Sequence, residues 1–163
     1  MSPRTRGAVD LDSPVRSHTL FRAMIVQCPS CSQSNRLRAA RLGENAKCGA
    51  CKAALLPLTH PVAIASVEEF DEMVRDLPVP LLVDFWAAWC GPCRAVAPEI
   101  EKVAGQRAGK IVVAKVDTEA LPAVAARFDI RSIPTMILFR DGKEAKRLSG
   151  ARPAGAILAD LAV

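Results

Sequence analysis

Residues 83–93 read VDFWAAWCGPC, and this stretch decides how the rest of the chain is interpreted. It begins inside a near-continuous apolar run, Leu81–Trp86, which is typical of a central strand buried on both faces. It then turns tightly into a helix that we expect to begin at about Pro92. Such a place suits a reactive thiol, because free backbone N–H groups and the helix dipole stabilise an anion there. Cys90 and Cys93 are therefore the candidate reactive pair.

Strand and helix patterns alternate on both sides of that stretch. The predicted elements are a strand at Val62–Ile64, a helix from Ser66 to Leu77, a strand at Leu81–Trp86, a helix from about Pro92, a strand at Ile111–Val116, a helix at Pro122–Phe128, strands at Thr135–Phe139 and Glu144–Leu148, and a helix at Pro153–Leu161. Crossover helices imply parallel pairing early, and Asp141-Gly142 implies a late antiparallel hairpin. The sequence predicts an α/β fold, with a mixed central sheet and helices on both faces.

The position of each cysteine relative to the helix suggests its role. Cys90 precedes the helix, so we expect it to be the exposed nucleophile. Cys93 lies in the first turn, so we expect it to be shielded and to resolve the mixed disulfide by attacking the sulfur of Cys90. The attacking species is a thiolate. This chemistry requires no cofactor in the site.

Asp84 is the unusual polar residue of the predicted central strand. Its neighbours Val83 and Phe85 are apolar, which favours a buried carboxylate over an exposed strand residue. Burial of a carboxylate costs free energy and raises its pKa. A perturbed carboxylate beside a reactive pair is a candidate general acid/base.

The motif resembles the active site of the thioredoxin family, and the resemblance covers about residues 61–163. The matching segments are Asp84-Phe85-Trp86-Ala87, Trp89-Cys90-Gly91-Pro92-Cys93, Ala114-Lys115-Val116-Asp117, Ile133-Pro134-Thr135 and Gly150. The resemblance implies a thioredoxin-like fold and a protein disulfide reductase. It also implies an NADPH-dependent thioredoxin reductase as electron donor and disulfide-containing proteins as substrates.

The same resemblance assigns roles to single residues. Asp84 would carry a proton for Cys93, and Lys115 would lie near that carboxylate, with an ordinary surface lysine as the alternative. Pro134 would follow a cis peptide bond and face the cysteines, with a simple strand-start proline as the alternative. Supporting residues around the site would be Trp89, Gly91 and Pro92, with Trp86 packing beside them or serving only the core.

The four remaining cysteines also occur as two Cys-x-x-Cys pairs. Cys28 and Cys31 are separated from Cys48 and Cys51 by sixteen residues, the spacing of a four-cysteine zinc site. Four thiolates leave no open position on Zn²⁺, so the predicted site is structural. The alternative is a second redox pair, because residues 48–51 superficially resemble the active motif. His18 and His60 have no partner at ligand spacing.

A zinc ribbon before a thioredoxin domain resembles the second thioredoxin class of bacteria. We therefore expect a disordered extension at residues 1–23, a zinc ribbon at 24–56, a linker at 57–61 and a thioredoxin domain at 62–163. Met24 is a candidate true start of the functional protein. The ribbon has few large apolar side chains, so the metal would have to supply much of its folding energy.

Composition restricts the remaining functions. No apolar run is long enough to cross a membrane, and residues 1–23 lack a secretory signal, so we expect a cytoplasmic monomer with no membrane contact. Residues 1–60 hold nine Lys/Arg against three Asp/Glu. We interpret this excess as a solvated basic arm and expect no nucleic-acid binding. The alternative function is a ribbon module that recruits protein or nucleic acid for a redox effector. A third alternative is oxidation of the four outer thiols with release of Zn²⁺.

Overall fold

The computed structural model describes residues 24–42 and 45–163. The expected extension at residues 1–23, including His18, lies outside the described part of the chain. The strands are β1 (Met24–Gln27), β2 (Ser34–Leu37), β3 (Val62–Ala63), β4 (Leu81–Trp86), β5 (Val112–Asp117), β6 (Thr135–Arg140) and β7 (Lys143–Ser149). The helices are α1 (Val67–Asp76), α2 (Gly91–Gln106), α3 (Pro122–Arg127) and α4 (Ala154–Leu161), with a short 3₁₀ helix at Ala39–Arg41.

The main sheet has five strands in the order β3-β5-β4-β6-β7. Strands β3, β5 and β4 are parallel, whereas β6 is antiparallel to β4 and to β7. The parallel pairs follow from the helical crossovers, and the antiparallel β6–β7 pair follows from the turn at Asp141-Gly142. The predicted mixed sheet is confirmed, and β4 lies at its centre.

Two apolar cores cover the two faces of the sheet. Leu81, Val83 and Phe85 of β4 point to the face covered by α1 and α3, where Phe70 and Phe128 pack at a ring-centroid distance of 5.4 Å. Leu82 points to the opposite face, which is covered by α2 and α4. Asp84 shares the parity of Leu82, so its carboxylate lies on the α2 side of the sheet.

The element ends differ from the sequence predictions by a residue or two. Pro153 precedes α4 with an extended backbone instead of forming its first turn. Ile111 makes an isolated bridge with Ala108, and the regular β5 ladder begins one residue later. Element ends are shifted in this way by local capping geometry. Every helix within the described residues is too short or too polar to cross a lipid bilayer.

The N-terminal hairpin shares its core with the main sheet. Strands β1 and β2 pair antiparallel, and the side chains of β1 alternate between buried and exposed. Met24 and Val26 pack in the same apolar cluster as Val62 and Phe70. Ile25, on the other face of β1, is 46 % exposed.

The connector that we expected at residues 57–61 is packed against the larger unit. Leu58 is buried in the cluster that contains Met24. The imidazole Nδ1 of His60 lies 3.0 Å from a carboxylate oxygen of Glu101 on α2. The ribbon thus packs against apolar side chains of the larger unit, because its own apolar side chains are too few to form a core.

Truncation of Val26 tests this shared core. Val26→Ala should lower the free energy of unfolding by about 2 kcal/mol, because two buried methyl groups are lost. The loss should appear in urea unfolding followed by fluorescence of Trp86 and Trp89, which lie in the larger unit. Ile25→Ala is the matched control and should leave the transition within about 0.5 kcal/mol. An unchanged tryptophan transition in Val26→Ala would show that the two units unfold separately.

Candidate active site and metal centre

Cys90 and Cys93 are joined by a disulfide at the N-terminal end of α2. Cys90 is the N-cap residue, and its Sγ accepts a hydrogen bond from the backbone N–H of Cys93 at 3.1 Å. Gly91 and Pro92 are the first two helical residues, and both are exposed. The sulfur of Cys90 therefore lies where the N–H groups and the helix dipole would stabilise a thiolate.

The expected difference in exposure between the two cysteines is not observed. Cys90 and Cys93 are each 3 % exposed. In this oxidised form the Cys90 Sγ is bonded to the Cys93 sulfur, and it also lies 3.7 Å from the carbonyl oxygen of Ile133. The prediction of an exposed Cys90 is therefore wrong for the disulfide-bonded state, because the neighbouring loop covers its sulfur.

That loop contains Pro134, and the Ile133–Pro134 peptide bond is cis. The Pro134 carbonyl accepts a hydrogen bond from the N–H of Gly150 at 2.8 Å. Gly150 has a φ of +90°, a conformation that glycine adopts most easily. These contacts hold Gly150, which is distant in sequence, against the cis-proline loop whose Ile133 carbonyl lies beside the Cys90 sulfur.

Asp84 is buried on the α2 side of β4 and is 1 % exposed. Its Oδ1 accepts no hydrogen bond from any described residue. Burial raises the pKa of this carboxyl from 3.8 to about 6, against the opposing effect of the Lys115 charge. Asp84 and Lys115 are directly paired in register between β4 and β5, so their side chains share one face of the sheet.

The two tryptophans occupy different surroundings. The Lys115 ammonium lies 4.5 Å from the ring centroid of Trp86, which is half-buried. Trp89 is 66 % exposed, and its indole Nε1–H donates to a carboxylate oxygen of Glu119 at 3.0 Å. Trp89 is thus fixed by a hydrogen bond more than by packing.

Sequence reasoning missed two neighbours of the site. Glu119 follows β5, and nothing in its local pattern indicates that it contacts Trp89. Ile133 contributes its backbone carbonyl near the Cys90 sulfur, a contact that does not depend on its side chain. The signal available for Ile133 is its position directly before Pro134.

Two tight turns bring the other four cysteines together. The Sγ atoms of Cys28, Cys31, Cys48 and Cys51 all lie within 4.8 Å of one another. The Sγ atoms of Cys28 and Cys51 are 3.5 Å apart, and those of Cys31 and Cys48 are 3.7 Å apart. All four thiols are free, and each pair contributes one buried and one exposed cysteine. This donor set fits a tetrahedral ion that accepts four thiolates.

The backbone of the second turn favours a thiolate at Cys48. The Cys51 backbone N–H is the main group that lowers the pKa of Cys48 to about 6. In each turn a backbone N–H closes onto the carbonyl of the first cysteine, from Ser32 to Cys28 and from Lys52 to Cys48. No α-helix begins at residues 48–51, in contrast to the Cys90 pair at the start of α2.

Comparison with protein families matches both units of the chain. A family model described as Thioredoxin matches residues 61–162, and one described as Thioredoxin 2, N-terminal, matches residues 27–53. Thioredoxin C-3 of Corynebacterium nephridii is 42 % identical over 128 residues, which cover 78 % of this chain and 86 % of that protein. Thioredoxin 1 of a Nostoc species is 51 % identical over 84 residues, which cover 52 % of this chain and 78 % of that protein.

Solved structures show the same fold. A point mutant of thioredoxin from Halobacterium salinarum superposes with a TM-score of 0.57 at 32 % identity, covering 63 % of this chain and 87 % of that one. Malassezia sympodialis thioredoxin gives a TM-score of 0.56 at 31 % identity, covering 61 % and 86 %. The family match spans the sheet, the disulfide and the cis-proline loop. This chain belongs to the thioredoxin family of protein disulfide oxidoreductases and carries a zinc-ribbon domain of the thioredoxin 2 type at its N-terminus.

Proposed function

We propose that Cys90 and Cys93 reduce disulfide bonds of partner proteins, with Asp84 as proton carrier and the four outer cysteines holding a structural zinc ion. The observation that carries the redox role is the Cys90–Cys93 disulfide at the start of α2, beside the cis-proline loop. The disulfide-bonded chain corresponds to the product of one turnover.

The first step starts from the reduced pair. The Cys90 thiolate attacks one sulfur of the substrate disulfide, which forms a mixed disulfide and releases the other substrate sulfur as a thiolate. The N–H of Cys93 and the α2 dipole stabilise the attacking thiolate. The Ile133 carbonyl region and Gly150 border the place where the substrate backbone would lie.

The second step forms the disulfide between Cys90 and Cys93. Deprotonated Cys93 attacks the Cys90 sulfur, the mixed disulfide breaks, and the second substrate sulfur leaves as a thiolate that takes up a proton. Asp84 accepts the proton of Cys93, since its carboxylate lies on the face of the sheet that α2 covers. Lys115 keeps part of the Asp84 population ionised near neutral pH, because its charge opposes the effect of burial.

Separate substitutions distinguish the two cysteine roles. Cys90→Ser should abolish reduction of insulin disulfides, because the attacking sulfur is absent. Cys93→Ser should retain the first attack and accumulate a mixed disulfide, detectable as a mass increase that dithiothreitol removes. Cys28→Ser should not give that adduct. Turnover by Cys90→Ser, or an adduct on another cysteine, would contradict the assignment.

Replacement of Asp84 should affect both stability and rate. Its folded-state pKa is raised, so the native state loses stability as pH rises from about 4 through about 6. Asp84→Asn should therefore unfold with a free energy up to about 3 kcal/mol higher at pH 8, with no gain at pH 4. Urea unfolding of the oxidised protein at several pH values measures this difference. Insulin reduction by the same variant should be slower than wild type above pH 7.

Asp141→Asn is the matched control, because Asp141 is exposed in the β6–β7 turn. Its rate of insulin reduction should equal that of wild type. If Asp84→Asn reduced insulin at the wild-type rate across the alkaline range, Asp84 would destabilise the fold without taking part in proton transfer.

The four outer sulfurs would be the only ligands of a Zn²⁺ ion. The ion would fix both turns and supply folding free energy that the small ribbon core lacks. The apolar side chains that pack around the ribbon cysteines are Leu55, which is buried, and the partly buried Leu37, Ala46 and Ala53. With four thiolate ligands the site has no open position for a substrate, which supports a structural role.

Metal analysis tests this assignment together with thiol counting. The reduced wild-type protein should contain one zinc per chain and two readily titrated thiols. Cys48→Ser should lose the zinc, because one ligand of a closed tetrahedral site is removed. Cys93→Ser is the matched control and should retain it. A metal-free wild type with six titratable thiols would refute the zinc site while leaving the redox pair intact.

We further propose the cellular setting that this chemistry requires. An NADPH-dependent thioredoxin reductase would return Cys90 and Cys93 to the dithiol form, and disulfide-containing proteins would be the substrates. The reducing cytoplasm suits free thiols in the ribbon. The proposed units are the ribbon at residues 24–56, a packed connector at 57–61 and a monomeric redox domain at 62–163.

A further inference from the structure

The side chain of Asn35 lies between the two cysteine turns of the ribbon. Its Oδ1 accepts a hydrogen bond from the Gly49 N–H at 2.9 Å. Its Nδ2 donates to the Gln33 carbonyl at 2.7 Å and lies 3.7 Å from the Cys48 Sγ. One amide thus contacts the turn after Cys28, the turn after Cys48 and one of the four sulfurs.

The position of Asn35 in β2 makes these contacts unusual. Asn35 pairs directly with Val26 of β1, so the two side chains lie on the same face of the hairpin. That face is otherwise apolar, since it carries Met24, Val26 and Leu37. Asn35 is half-buried there, and its amide makes its hydrogen bonds to the ribbon.

The orientation of the amide follows from its partners. The Gly49 N–H can only donate, so the carbonyl oxygen of Asn35 must face it. The NH₂ group is then directed to the Gln33 carbonyl and the Cys48 sulfur, both of which accept. The reverse orientation would place donors against the Gly49 N–H and an oxygen against the Gln33 carbonyl.

We propose that Asn35 is a positioning residue of the four-sulfur site, holding the two cysteine turns in register and donating to the Cys48 sulfur when zinc is bound. This inference rests on the zinc site proposed above. Four thiolates around one Zn²⁺ carry a net negative charge, which a neutral amide donor offsets. The hydrogen bonds of Asn35 to Gln33 and Gly49 join the two turns, so they restrict the chain to arrangements that keep the four sulfurs together.

Removal of the amide should weaken zinc binding without changing the four ligands. Asn35→Ala in the full chain should lower zinc affinity by about 10- to 100-fold, the range typical of lost outer contacts to metal ligands. Competition against a coloured chelator of known zinc affinity measures the change. Asn35→Asp should also weaken binding, because its carboxylate can still accept from Gly49 but places negative charge against the Cys48 sulfur.

Asn45→Ala is the matched control, because Asn45 is an exposed asparagine of the same module, three residues before Cys48. Its zinc affinity and its rate of insulin reduction should equal those of wild type. If Asn35→Ala does not accumulate as folded protein, Asn35→Asp provides the comparison. Wild-type affinity in Asn35→Ala or Asn35→Asp would overturn this inference alone, whereas a metal-free wild type would overturn the zinc site itself.

Discussion

The burial of β4 from Leu81 to Phe85 is the constraint on which the active site depends. This strand pairs with β5 on one side and β6 on the other, and apolar side chains cover both of its faces. A strand held in this way has little freedom at its end, so the chain must leave the sheet at Trp86 and begin α2 a few residues later. The reactive sulfurs are therefore positioned by the core of the protein and not by a mobile loop.

The same burial explains the properties of Asp84. An ionised carboxylate in the middle of a buried strand is destabilising, and its pKa rises toward the range in which thiols exchange protons in neutral solution. Lys115, on the neighbouring strand, limits this rise because its positive charge faces the carboxylate. Stability is thus given up at a position where a proton acceptor is useful to the proposed second step.

The ribbon is too small to bury a core of its own. Its cysteine cluster packs chiefly on Leu55, whereas Met24, Val26 and Leu58 are buried in the core of the larger unit. Two sources of free energy therefore complement each other in this module: apolar contact with the thioredoxin domain and the proposed binding of an ion. The apolar contact links the folding of the ribbon to that of the thioredoxin domain.

The sequence by itself determined the features that depend on local pattern. Continuous apolar runs predicted the central strands and helical spacing of apolar residues predicted α1 and α2, whereas the Asp141-Gly142 turn predicted β7, whose residues are mostly exposed. The buried strand before Cys90 and the helix after it distinguished this pair from the other four cysteines, and the Ile133-Pro134-Thr135 match correctly implied a cis peptide bond. Only the tertiary structure decided the rest. Three contacts belong to this group: the Ile133 carbonyl beside the Cys90 sulfur, the hydrogen bond of Trp89 to Glu119, and the hydrogen bond of Gly49 to Asn35. Each joins residues that are distant in sequence. Such contacts leave no periodic signal, because they depend on how strands and turns are placed in space and not on the residues that flank each partner.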